Sequence, residues 1–158
     1  MYVVACVESD CRACWTNGPQ DLCRRLEVVR ALARLAHERA PDVLEQHRLR
    51  LVERTQRLRG AVDVVWDDGR LEQEIALFAD RVDITEELTR LESHCDQFAA
   101  LLAAPTAPCG RRLDFLLQEM VREVNTAGAK SPDALLVHAV VEIKAELERM
   151  REQVQNVE

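Results

Sequence analysis

The chain has 158 residues, of which 47% are hydrophobic, 31% charged and 4% aromatic. Five Gly and five Pro are too few for a turn-rich all-β fold, and the apolar content is too high for a disordered chain. With 21 Lys+Arg against 28 Asp+Glu the net charge is −7, which excludes a uniformly basic nucleic-acid binder but leaves room for a local basic face.

No apolar run approaches the roughly 18 residues needed to cross a bilayer. The start, Met1 to Cys6, lacks both a basic n-region and a full apolar h-region. The expected protein is soluble and cytoplasmic, with no membrane partner. Charge divides unevenly: residues 1–70 carry 12 Arg and 11 acids, net +1, while residues 71–158 carry 9 basic and 17 acidic residues, net −8. The acidic half is where a divalent metal is most easily held.

Cysteine runs the other way. Cys6, Cys11, Cys14 and Cys23 cluster near the start, and Cys95 and Cys109 stand alone. Cys11 and Cys14 have the CxxC spacing that can hold zinc from one turn, with Cys6 and Cys23 able to complete four thiolates. A second CxxC is absent, and reduced thiols at a poorly ordered end are the plainer reading in a cytosolic chain. Both readings stay open.

In chain order, Leu22, Leu26, Val29, Ala33 and Ala36 recur at helical spacing, predicting a helix over residues 19–40. Pro41 suits the first turn of a second helix, which runs through Leu44, Leu51 and Leu58 to Gly60 with arginines on its outer faces. Residues 61–66 form a short β-favouring patch, followed by the turn signal Asp67-Asp68-Gly69. Another helix is expected from Leu71.

Two segments carry heptad seams. Ile84, Leu88, Leu91, Cys95, Phe98 and Leu102 form one; Leu136, Val140, Ile143, Leu147, Met150, Val154 and Val157 form the other. Between them a helix over residues 111–127 ends at Gly128, and Ser131-Pro132 offers a cap and first-turn proline for the last helix. The fold class is all-α, a helical bundle with long antiparallel heptad-patterned helices.

Polar residues form stripes on these helices. Asp80, Asp83, Glu87, Arg90 and His94 fall on one helix face. A solvated face is the simpler account, with Asp83 capping a local restart and Arg90 pairing with Glu86 or Glu87. In the helix from Arg111, Arg112, Glu119 and Glu123 lie together at the edge of the apolar arc. Glu119 and Glu123 are one turn apart, so they repel unless something positive lies between them. Arg112 or Arg122 would serve as a salt bridge; Mg²⁺ or Mn²⁺ would serve as a metal site.

Four blocks carry a family resemblance: residues 110–131 (GRRLDFLLQEMVREVNTAGAKS), 70–76 (RLEQEIA), 80–94 (DRVDITEELTRLESH) and 150–158 (MREQVQNVE). With these blocks in the family's order along the chain, over about residues 40–158, the chain resembles the YicC/YloC-like endoribonucleases in their C-terminal region. The resemblance implies a bacterial cytoplasmic RNase that uses a divalent metal and assembles into a ring-like homo-oligomer around structured RNA. It also implies a separate N-terminal domain, to which residues 1–40 show no similarity. The expected layout is an unmatched, poorly ordered segment over 1–23 and a helical region over 24–158, a fragment lacking that domain. Val121 stands where the family pattern has asparagine.

Two functions follow as expectations. In the first, a metal-dependent endoribonuclease, Glu87, His94, Glu119 and Glu123 hold the ion, with Glu119, Glu123 and His94 catalytic. Arg81, Arg112, Arg122 and Lys130 then bind RNA phosphates. In the second, the chain is a non-catalytic assembly module whose carboxylate–arginine pairs lock helices together and whose seams bury against each other and sister chains.

Overall fold

The computed structural model describes residues 18–59, 68–103 and 110–155. They form five α-helices: α1 (Gly18–Arg59), α2 (Asp68–Val82), α3 (Thr85–Ala103), α4 (Gly110–Lys130) and α5 (Ala134–Gln155). No strand occurs among the described residues. The all-α bundle read from the heptad seams is what the chain adopts. The β-favouring patch, Val157, Cys6, Cys11 and Cys14 lie outside the described residues; Cys23 is exposed on α1.

Four helices enclose the core. Helix α1 packs on α3 and α5, and α4 packs on the same two. The α3 and α5 seams therefore sit diagonally across the bundle and meet through residues of α1 and α4 rather than as adjacent helices. Phe98, Leu113, Leu117, Met120, Leu147 and Met150 are the fully buried centre. Each adjacent pair of helices is crossed by an ion pair: Arg30–Asp96 at 2.7 Å (α1/α3), Arg25–Glu146 at 2.8 Å (α1/α5), Arg90–Glu123 at 3.3 Å (α3/α4) and Arg151–Asp114 at 3.4 Å (α4/α5). Such partly exposed pairs each contribute little energy. Their positions do fix an antiparallel register for every neighbouring pair, as flanking charges do in coiled coils. Asp21 anchors one end, accepting hydrogen bonds from Arg24, Arg25 and Gln153. Those bonds, that from Arg24 foremost, hold its carboxyl well below the usual carboxylate range.

Two expected helices are one. Helix α1 runs 42 residues, with Pro41 inside it. Proline removes one backbone bond and crowds the preceding turn, yet both sides of it are anchored. Ala36 and Val43 are buried, and Arg39 bonds Asp42 at 3.1 Å across the proline while reaching Asp133 at 3.5 Å. Tertiary packing thus overrides the local stop signal.

Two further boundaries differ from expectation. Asp133, not Ser131, caps α5: its Oδ1 accepts from the N–H groups of Leu135 and Leu136 at 3.0 and 3.2 Å. Ser131 instead donates Oγ–H to the Ala127 carbonyl at 2.7 Å, closing α4. Gly128 lies within α4 rather than after it, and a Cβ built there would sit 2.9 Å from Val140 Cγ1. The glycine serves the close approach of α4 to α5.

Beyond Val43, α1 leaves the bundle. Its distal part pairs with α2, whose only extensive neighbour among the described helices is α1. No described residue in this two-helix arm is fully buried.

Candidate functional site on the α3/α4 edge

The polar stripe read from the sequence is interrupted. Helix α2 stops at Val82 and α3 restarts at Thr85, capped by Asp83 Oδ1, which accepts the Thr85 N–H at 2.9 Å. The Thr85 hydroxyl and backbone N–H hold the Asp83 carboxyl below its ordinary range. Asp80 therefore belongs to another helix, while Glu87, Arg90 and His94 remain on the α3 face that borders α4.

There Glu87 and Arg90 meet α4 rung by rung. Lys130 Nζ donates to Glu87 Oε1 at 2.8 Å and to the Asp83 carbonyl at 3.0 Å. One turn along, Arg90 Nε lies 3.3 Å from Glu123 Oε2, and its Nη2 lies 3.2 Å from Glu86 Oε1. The same antiparallel register brings His94 to the level of Glu119. Glu119 is half-buried and paired within its own helix to Arg122 Nη1 at 3.1 Å. Arg90 thus bridges two helices, a pairing that local spacing did not disclose.

Two of these carboxylates are buried: Glu87 is 3% exposed and Glu123 8%. Glu87 Oε2 and His94 Nδ1 are both buried without a hydrogen-bond partner. A cavity of about 10 Å³ lies beside Glu87, Glu123, Ser131 and Ala127, room for about one water.

The expected metal quartet is not assembled. Among the described residues, no group of three His, Cys, Asp or Glu side chains could hold a metal. Glu87 and His94 are two turns apart, roughly 10 Å along the helix, and Glu87, Glu119 and Glu123 each have a basic partner. The cavity is also too small for Mg²⁺ with the several waters it normally keeps. These four residues share an edge but do not fit one ion.

The basic candidates divide. Arg122 is exposed beside Glu119. Arg112 is exposed in the first turn of α4 and has no ion pair among the described residues. Lys130 is committed to Glu87 and Asp83. Arg81 is off this edge, on α2, its Nε donating to the Leu77 carbonyl at 3.1 Å. Val121 packs half-buried against the core, which explains an apolar residue there.

The sequence pattern described as "Endoribonuclease YicC-like, C-terminal" matches residues 36–158. The chain belongs to this family. Among relatives of the YicC-like chain, a "Probable endoribonuclease YicC" of Clostridioides difficile is 38% identical over 139 residues, covering 88% of this chain and 47% of that protein. A protein of the same description from Haemophilus influenzae is 38% identical over 135 residues, covering 85% and 45%. The chain spans about half the length of these curated relatives. The YicC-like match takes in all of α2 to α5, and so the whole α3/α4 edge, but begins part-way along α1. No helix among the described residues is long and apolar enough to cross a membrane.

Proposed function

We propose that this chain is the helical part of an endoribonuclease and that the α3/α4 edge forms one wall of its RNA-cleavage site. The observation that carries the reading is the pair of buried carboxylates, Glu87 and Glu123, together with His94, whose buried Nδ1 is unpartnered, further along the same face of α3. Burying charge costs several kcal/mol per ion before pairing, and an apolar residue would pack the seam at lower cost. Titratable groups buried together on one edge are candidates for a functional site. His94, half-buried at the end of the ladder, is the proton-transfer group of the proposal. Glu119 shares its level, and Arg112 and Arg122 are the exposed cations that neutralise the phosphate.

Each role in the proposal is carried by the chain's own side chains. Metal dependence is read directly from activity. The full chain is incubated with a labelled hairpin RNA, and with DNA of the same sequence, in Mn²⁺ or in EDTA. Cleavage of RNA alone is expected; failure to cut RNA in either condition contradicts the proposal.

One observation favours a second reading, a non-catalytic assembly module. Lys130–Glu87 and Arg90–Glu123 join α3 to α4 as interhelical locks, and Leu35, Val137 and Val141 leave apolar side chains exposed on the adjoining helices α1 and α5. On this reading the chain self-associates stably and cuts nothing.

A further inference from the structure

The α1/α2 arm makes no contribution to the bundle core, yet its residues are arranged specifically. His47 on α1 stacks on Phe78 of α2 with ring centroids 3.4 Å apart and planes 7° from parallel. This stack sets the register of the two antiparallel helices. Arg50 lies one turn beyond His47, and Arg81 one turn beyond Phe78. Because the helices run oppositely, the two arginines flank the rings from opposite sides, roughly 9 Å apart along the arm at 1.5 Å per residue. Two flexible side chains at that spacing can close on neighbouring phosphates of one strand.

The charges around them are unbalanced. Arg48 and Arg57 are neutralised within α1 by Glu45 and Glu53. Arg50, Arg54 and Arg81 have no ion pair among the described residues. His47, Arg50 and Arg54 share one face of α1, by their spacing of three and four. Burial and then the Arg50 and Arg81 charges hold the His47 imidazole below its usual range. Gathered like charges repel and contribute nothing to folding. A guanidinium pair that engages no carboxylate among the described residues, on an exposed surface, is free to engage a polyanion, which releases counterions when it binds.

We infer that the arm is an RNA-backbone clasp, in which Arg50 and Arg81, held apart by the His47–Phe78 stack, grip phosphates of the RNA presented to the α3/α4 edge. The inference rests on the RNA reading above, and it sets Arg50, from the less acidic half of the chain, beside Arg81. Contacts of this kind hold RNA without reading its sequence.

The test is binding without cleavage: full-length chain and a fluorescent hairpin RNA in EDTA, with anisotropy followed across a salt series. Arg50→Glu with Arg81→Glu is expected to weaken binding by about 10-fold or more and to flatten the slope of log K against log salt by about 1.5. Arg50→Lys with Arg81→Lys should keep the slope, and Arg24→Glu, at the far end of α1, should leave affinity within about twofold. Circular dichroism checks that helicity is intact. If the wild-type chain binds and the double charge reversal changes neither affinity nor slope, the clasp is overturned while the RNase reading stands. Equal losses in Arg24→Glu would also overturn it, since the effect would be that of net charge. If the wild-type chain binds no RNA, the clasp falls, and the cleavage assay in Mn²⁺ and in EDTA decides the RNase reading separately.

Discussion

Lys130→Met is expected to lower the melting temperature by roughly 5–10 °C. The substitution leaves the Glu87 carboxylate, 3% exposed, without its cation, and deprives the Asp83 carbonyl of a donor. Removing one partner of a buried ion pair costs about 3–5 kcal/mol. Because the Lys130 side chain is 34% exposed, water partly replaces it, and about 2–3 kcal/mol is the expected loss. For a chain of this size each kcal/mol shifts melting by roughly 2–4 °C. Adding Glu87→Met removes the stranded charge and should recover most of the loss. A double variant no more stable than the single one would show that Lys130 acts through the Asp83 carbonyl instead.

Gly128→Val is expected to cost about 3 kcal/mol, a loss of roughly 6–12 °C. Even a single added carbon would approach Val140 Cγ1 to 2.9 Å. Val140 is β-branched and stiff about its first side-chain torsion, and it is 8% exposed within the core, so α4 and α5 must part to admit the larger side chain. Helix propensity works the other way by only a few tenths of a kcal/mol. Pairing Gly128→Val with Val140→Ala should restore much of the stability. Thermal unfolding of the three variants decides it: an unaffected Gly128→Val would mean that the helices have slack at this crossing.

Apolar periodicity disclosed the fold because burying one stripe per helix demands it. The seams from Ile84 to Phe98 and from Leu136 to Val154 are buried as their spacing requires. Local stop signals were less informative. Pro41, Gly128 and Ser131 each carried a plausible boundary role, and each was outweighed by packing or by a better-placed partner: Arg39 across the proline, Val140 opposite the glycine, Asp133 beyond the serine. Periodicity around one helix also says nothing of axial register between two. That register decides which charges meet, so the sequence named Arg122 beside Glu119 within one helix but not the cross-helix partners, Lys130 for Glu87 and Arg90 for Glu123. The same limitation concealed the arm, where His47 and Phe78 lie far apart in sequence and neither belongs to a motif.

The α3/α4 edge as a cleavage wall is tested most directly by His94→Gln, a side chain of similar bulk that hydrogen-bonds but does not shuttle protons at neutral pH. Hairpin-RNA cleavage and melting temperature are measured on the same preparation. Cleavage is expected to fall by about 100-fold or more while melting stays within roughly 2–4 °C of wild type, about 1 kcal/mol. Undiminished cleavage by the folded variant would contradict the account and leave the edge as a set of helix locks.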